Sequence, residues 1–181
     1  MGNENKLYTL LVYSENIAGI LNQITAVFTR RQVNIESLNV SASSIDGLHK
    51  YTITAWSDDD QISKITKQIE KKIDVVKAKY YTDDELFIRE TGFYKLDTKI
   101  VMGNSEVSRT IRKFEANIME VNPTYVIVMK NGVTEEITNL FYALNEFECV
   151  FQYTRSGRIA VTRSKQEEVS KFLEQREEGR A

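Results

Sequence analysis

The sequence predicts an α+β protein with two domains that share one order of elements, β-α-β-β-α-β. Short apolar runs of strand length alternate with segments whose apolar residues recur every three or four positions. This alternation occurs twice along the 181 residues. A polar stretch at residues 82 to 85 separates the two cycles, and we expect a domain boundary there.

The first cycle opens with an apolar run at residues 7 to 13, which is predicted to be a strand. Turn-favouring residues follow at 14 to 16. The apolar spacing then predicts an amphipathic helix from residue 17, with Arg30 and Arg31 suited to its negative C-terminal end. Its expected buried face consists of Ile17, Ile20, Leu21, Ile24, Val27 and Phe28.

Two further strands are predicted at residues 33 to 43 and 48 to 56, joined by a turn at 44 to 47. Asp58 begins an acidic start to a second helix, and a fourth strand is expected at residues 75 to 81. This order is that of the ferredoxin-like fold, in which both helices cover one face of a four-stranded antiparallel sheet. The other face and the edges are expected to be free for partners. The apolar face of the second predicted helix, which begins after Asp58, consists of Ile62, Ile65, Ile69 and Ile73.

The second cycle repeats this order without a residue-by-residue repeat, so we predict a second ferredoxin-like domain. Asn131 and Gly132 are expected to form a turn and Thr134 to cap a helix carrying Ile137, Leu140, Phe141 and Leu144. An earlier helix carries Val107, Ile111 and Phe114. The predicted strands are residues 86 to 96, 118 to 121, 125 to 129 and 148 to 154.

These patterns divide the chain into three parts. Residues 1–82 form the first domain and residues 83–164 the second. Residues 165–181 are mostly charged with a narrow apolar stripe, so a peripheral helix that frays is expected.

Composition excludes several classes of function. The sequence is 41% hydrophobic and 28% charged, which is typical of a globular protein. No apolar run reaches membrane-spanning length and the N-terminus lacks a secretory pattern, so no membrane partner and a cytoplasmic location are expected. The net charge is −2 and no segment concentrates Lys and Arg into a phosphate-binding stripe, so nucleic acid is not expected as a partner.

The sequence offers little catalytic chemistry. Its one histidine, His49, lies on the predicted hairpin and is interpreted as a surface or edge-strand residue. Its one cysteine, Cys149, lies in a strand-like run and is expected to be buried. We find no phosphate loop, metal-ligand cluster or nucleophile motif, so no metal, no catalytic residue and no enzymatic activity are predicted.

The junction between the first strand and helix does carry binding chemistry. A helix N-terminus offers free N–H groups to a carboxylate, Gly19 permits close approach, and the Asn16 amide both donates and accepts, which suits a zwitterion. Structural alternatives are that Asn16 caps the helix and Gly19 allows tight packing. Asn34 opens an unusually polar second strand, or is simply a turn residue.

Three segments resemble the small regulatory subunits of acetolactate synthase (acetohydroxyacid synthase), which begin with an ACT domain. The segments are Ser14 to Leu21, Phe28 to Leu38, and Thr154 to Gly157. The first is shared among ACT domains, whereas the second is specific for this family. Ala18 replaces the frequent Pro or Ser, and Ile20 is bulkier than the usual Ala or Val.

This resemblance implies that the first domain is an ACT domain and that the chain is a homodimer through it. Valine or another branched-chain amino acid would bind between two ACT domains and inhibit a separate large catalytic subunit, which this chain also activates. Asn16, Gly19 and Ile20 of one chain would hold the amino acid's backbone groups, with Asn34 at the same interface. Thiamine diphosphate, magnesium and FAD are expected in the catalytic partner, and no cofactor in this chain.

Other functions remain open at this point. A stand-alone ACT-type amino-acid sensor would bind the ligand without a catalytic partner. An RNA-binding domain shares the order of elements, but residues 50 to 56 lack the glycine-aromatic pattern that stacks bases. A small enzyme would require an activity of the isolated chain.

Overall fold

The computed structural model describes residues 5 to 178, which form two compact units. The first unit combines the N-terminal part through Ile88 with the segment from Arg158 onward, and the second contains Arg89–Gly157. The chain passes between the two units after Ile88 and again after Gly157, whereas the sequence predicts one boundary at residues 82 to 85. The difference arises because the C-terminal segment returns to the first unit.

The first unit contains the predicted β-α-β-β-α-β order. Its strands form an antiparallel sheet in the order β2-β3-β1-β4, so β2 and β4 are the edges. Helices α1 and α2 pack on one face, where their isoleucines meet Tyr8, Leu10 and Val12 of β1. The elements are β1 (Lys6–Glu15), α1 (Ile20–Arg30), β2 (Ile35–Ala42), β3 (Leu48–Ser57), α2 (Asp59–Glu70) and β4 (Val75–Tyr81).

Both helices of this unit are shorter than predicted. Helix α1 begins at Ile20, not at residue 17, because Gly19 has φ +89° and cannot continue a right-handed helix. Ile17 and Leu21 were expected on the buried face, yet 43% and 41% of their surfaces are exposed. Helix α2 ends at Glu70, which leaves Ile73 fully exposed. The predicted cap of α2 is confirmed, since the Asp58 carboxylate accepts from the Gln61 N–H at 2.8 Å.

The second unit has the same architecture. Its sheet has the order β6-β7-β5-β8, and the helices cover the face that carries Tyr94 and Leu96. Cys149 is fully buried in this core, as predicted, and donates to the Leu144 carbonyl at 3.3 Å. The elements are β5 (Leu86–Asp97), which starts in the first unit, α3 (Thr98–Gly103), α4 (Ser105–Lys113), β6 (Asn117–Val121), β7 (Tyr125–Gly132), α5 (Thr134–Asn145) and β8 (Val150–Arg155).

Two local predictions for the second unit are wrong. Asn131 and Gly132 do not form a turn but continue β7, where both are paired with β5. Thr134 does not cap α5 but is its first residue. Instead, the Glu136 carboxylate, in the first turn of α5, accepts a hydrogen bond of 3.0 Å from the N–H of Val133, the residue directly before the helix.

The C-terminal segment corrects the expectation that the second face of the first sheet is free. Strand β9 (Ile159–Thr162) pairs with β5, and α6 (Glu168–Glu178) packs against β4. Val169 of α6 is fully buried. It belongs to a second apolar cluster on this face, together with Leu11, Tyr13, Tyr81, Leu86, Ile88 and Ala160.

Two ion pairs hold the start of α6 to the sheet. Lys50 Nζ lies 2.8 Å from Glu167 Oε1, and Lys79 Nζ lies 2.9 Å from Glu168 Oε1. Burial alone would raise the pKa of Glu167, but the contacts with Lys50 and Tyr13 outweigh it and the pKa is lowered. The hydrogen bond from Lys79 lowers the pKa of Glu168. The charged forms of both acids are therefore favoured when α6 is docked.

We predict that α6 undocks in acid before the first unit unfolds. Because both carboxyl pKa values are lowered in the folded chain, their stabilisation is present above the unfolded value, about 4.3. It is lost as the pH falls from the unfolded value through the lower folded values. The NMR signals of the Val169 methyl groups between pH 7 and pH 3 measure the docking, with the Val12 methyl groups as an internal reference for the core.

A Glu167→Gln, Glu168→Gln chain serves as the control and should show a much weaker pH dependence at Val169. The expectation fails if the Val169 signals of the unaltered chain keep their docked positions down to pH 3.

Candidate functional site

The loop between β1 and α1 presents the predicted binding groups at the surface. Asn16 and Gly19 are exposed, and residues 16 to 18 lie outside any helix. No side chain in residues 5 to 178 caps the N-terminus of α1. The alternative that Asn16 caps this helix is therefore wrong, and the positive end of α1 faces solvent.

Gly19 has a conformational role and not a packing role. Its φ of +89° lies in the left-handed region, which favours glycine, and a Cβ placed there would meet nothing within 4 Å. The alternative of tight helix-on-sheet packing is therefore wrong. The missing side chain leaves open space directly in front of the helix N-terminus, where a ligand carboxylate can approach the backbone.

Ile20 contributes to this region only through its backbone. Its side chain is 3% exposed and belongs to the core beneath α1. Its N–H donates to the Ile17 carbonyl at 3.3 Å. The bulk of the Ile20 side chain therefore does not narrow the surface depression.

Asn16 lies in a depression whose other residues come from the loop itself and from the turn between β2 and β3. The Asn16 N–H donates to the Gly47 carbonyl at 3.3 Å, which ties the two loops together. Two carboxylates, Glu15 and Asp46, give the depression a negative rim that suits an ammonium group. The lining consists of Glu15, Asn16, Ile17, Asp46, Gly47 and Leu48.

The sequence interpretation missed Glu15 and Asp46. The predicted topology could have placed Asp46 near Glu15. The strand after the turn that contains Asp46 was expected to join the same antiparallel sheet as the strand that ends near Glu15. In the structure Glu15 pairs with Leu48, so the turn that contains Asp46 lies beside the end of β1.

Asn34 lies at a different place. It is exposed and directly precedes β2, in a separate depression beside the C-terminal end of α1. The sheet register separates this depression from that of Asn16. Ile35 pairs with Ala55, whereas Ala42 pairs with His49 at the other end of β2. The two partners are six positions apart on β3, which is about 20 Å along the strand. One chain therefore does not bring Asn16 and Asn34 together.

The other singled-out residues do not form a second centre. His49 was interpreted as a surface or edge-strand residue, but it is half-buried on β3, which is paired on both sides with β1 and β2. Within residues 5 to 178, no group of His, Cys, Asp and Glu is arranged to hold a metal ion. None of the helices described is long and apolar enough to cross a membrane.

The motif from Thr154 to Gly157 has a structural role in the second unit. Arg155 Nη1 lies 3.2 Å from the Glu90 carboxylate, whose side chain is only 1% exposed. The Thr134 hydroxyl donates to the same carboxylate. Ser156 and Thr91 exchange two hydrogen bonds, of 2.9 and 3.0 Å. The motif therefore neutralises a buried acid and fixes the strand ends around it.

We predict that Arg155→Ala destabilises the second unit by about 2 kcal/mol, because it leaves the buried Glu90 carboxylate without this cation. Urea denaturation followed by circular dichroism measures the loss. Arg109→Ala is the matched control, since that arginine pairs with Glu106 at the surface and its loss should cost less than about 0.5 kcal/mol. Equal losses for the two variants would contradict the structural role of the motif.

Comparison with known proteins supports the resemblance over both units. A family model described as "AHAS small subunit-like ACT domain" matches residues 10–77, and one described as "Small subunit of acetolactate synthase" matches residues 89–164. The chain is 30% identical over 158 residues to the acetolactate synthase small subunit of Mycobacterium bovis, covering 87% of this chain and 93% of that protein. It is 28% identical over 166 residues to the small subunit of Bacillus subtilis, covering 91% and 94%.

A solved structure confirms the predicted fold class. The crystal structure of the acetolactate synthase small subunit from Thermotoga maritima superposes with a TM-score of 0.79. The match covers 89% of this chain and 99% of that chain at 23% identity.

Proposed function

Because the chain belongs to the acetolactate synthase small-subunit family, we propose that it activates a separate catalytic subunit and makes that subunit sensitive to feedback inhibition by valine. The observation that carries the proposal is the exposed, uncapped N-terminus of α1, preceded by Gly19 and flanked by Asn16. Thiamine diphosphate, magnesium and FAD would be held by the catalytic partner.

The groups around this helix N-terminus match a free branched-chain amino acid. The N–H groups of the first turn of α1 that follow Ile20 suit its carboxylate, and the carboxylates of Glu15 and Asp46 suit its ammonium group. Ile17 and Leu21, which are exposed although apolar, flank Gly19 and offer an apolar wall for the branched side chain.

The edge position of β2 supports a site shared by two chains. β2 is the outermost strand of its sheet, so its outer edge is open to a second copy. A two-fold axis at this edge would pair the two β2 strands in antiparallel orientation. The start of β2 in one chain would then lie beside the end of β2 in the other. Asn34 of one chain would approach the end of the sheet that carries Asn16 of its partner, which a single chain does not achieve.

Reconstitution tests the proposed function. Purified catalytic subunit is assayed with and without this chain while valine is titrated. We expect this chain to raise the rate and to confer valine inhibition. The coupling should be about 1 to 3 kcal/mol, which corresponds to roughly a 5- to 150-fold change in affinity. Unchanged rates with and without the chain would refute the proposal, and valine binding without any effect on the catalytic subunit would indicate a stand-alone sensor.

Mixed dimers test whether the site is shared. Asn16→Ala and Asn34→Ala should each abolish valine inhibition and leave activation intact. When the two variants are co-expressed, about half of the dimers are mixed, and each mixed dimer contains one unaltered site if the site draws on both chains. Partial recovery of inhibition is therefore expected, as measured by valine titration of the reconstituted enzyme.

Two outcomes contradict the shared site. If both residues served a site within one chain, every site in the mixture would carry a defect and no inhibition would return. If either variant lost activation together with inhibition while remaining folded, the two functions would not use separate surfaces. Asn139→Ala, at an exposed position of α5 in the second unit and away from both depressions and from β2, is the matched control and should keep both functions.

A further inference from the structure

The second face of the first sheet carries a groove that α6 fills. We propose that this groove is a docking surface for an acidic amphipathic helix of another polypeptide, and that α6 is an intramolecular competitor for it. This docking surface does not require that valine binds beside Asn16. We call residues 165 to 178, which comprise α6 and the short segment before it, the strap.

The groove combines an apolar floor with a basic rim. Leu11, Tyr13 and Tyr81 form the floor and are at most 5% exposed. Lys50, on β3, and Lys79, on β4, stand on either side of the central strand β1. Burial, and the negative charges of the nearby strap glutamates, raise the pKa values of Tyr13 and Tyr81. The groove therefore favours an occupant with an apolar stripe and acidic residues next to it.

The strap shows what fits there. Val169 enters the floor and is fully buried, while the preceding Glu167 and Glu168 reach Lys50 and Lys79. The Phe172 ring lies beneath Lys77, with the ammonium nitrogen 5.5 Å from its centroid. The space left between strap and floor is about 10 Å³, no more than a single water needs. The recognised pattern is thus two acids followed by apolar residues at helical spacing.

The strap is held weakly enough to be displaced. Helix α6 has 11 residues, a length at which an isolated helix is marginal in water, so its folding depends on docking. Val169 is its one fully buried side chain among residues 168 to 178. Both ion pairs to the sheet are partly exposed to solvent. The strap also lies outside residues 10–77 and 89–164, which match the family models. A partner helix with the same acids and a longer apolar stripe would bind the groove more tightly than the strap does.

A peptide in trans tests the groove. In the full chain, Glu167→Lys with Glu168→Lys places cations against Lys50 and Lys79 and should release the strap. The probe is a labelled synthetic peptide of residues 165 to 178 with the original sequence. By fluorescence anisotropy it should bind the released chain saturably, and at least tenfold more weakly to the unaltered chain, because a tethered strap acts at an effective concentration of about millimolar.

Matched variants separate groove binding from net charge. Glu177→Lys with Glu178→Lys changes the charge equally at exposed positions of α6 and should leave the strap docked, so peptide binding stays weak. A peptide that carries Glu167→Lys and Glu168→Lys should not bind the released chain. If the Glu167→Lys, Glu168→Lys chain is not folded by circular dichroism, Val169→Ser provides a second released form, which keeps both glutamates but loses the buried apolar side chain.

Three outcomes would overturn the proposal. The first is a folded, released chain that does not bind the peptide. The second is equal peptide affinity for the released and unaltered chains. The third is a released chain that forms a new oligomer which the peptide does not dissociate, since a second copy would then occupy the groove.

Discussion

The first unit depends on one strand that is apolar on both faces. Residues on β1 alternate between the two sides of the sheet, yet Tyr8, Leu10 and Val12 are as buried as Leu11 and Tyr13. An antiparallel sheet with one solvated face normally alternates apolar and polar residues. A continuous apolar run in its central strand therefore requires cover on both faces. Helices α1 and α2 supply it on one side, and the C-terminal segment supplies part of it on the other.

This requirement explains both a success and a failure of sequence interpretation. The run at residues 7 to 13 predicts β1 correctly, because its length and its boundaries are local features. The same run also requires cover on the second face, which the prediction of a free face overlooked, and the covering residues lie about 150 positions further along the chain. Local periodicity cannot identify such a partner. The charged composition of the strap pointed away from packing, since Val169 is the single fully buried residue of α6.

Errors at the ends of elements have a common cause. Ile17 and Ile73 continue the apolar spacing of their helices, but the spacing says nothing about the backbone angle at Gly19 or the end of α2 at Glu70. Asn131 and Gly132 have turn chemistry, yet their pairing with β5 keeps them extended. Tertiary hydrogen bonds outweigh local preference in such cases. Asn16 and Gly19 lie in the exposed loop before α1, because the positive φ of Gly19 delays the start of the helix, and their role in binding an amino acid stays a prediction.

The β2–β3 turn links the depression around Asn16 to the strap. Leu48 lines the depression beside Asn16 and also packs against the apolar cluster that contains Val169. Two residues further along β3, Lys50 holds Glu167 of the strap. A ligand that moved the turn would therefore change the packing at Leu48 and the position of Lys50 together. Coupling between the two surfaces requires two arrangements of this turn with different free energies in the presence of ligand. The hairpin is short and is anchored on both sides by strand pairing, so movement at its tip reaches Lys50 through only two residues of regular strand.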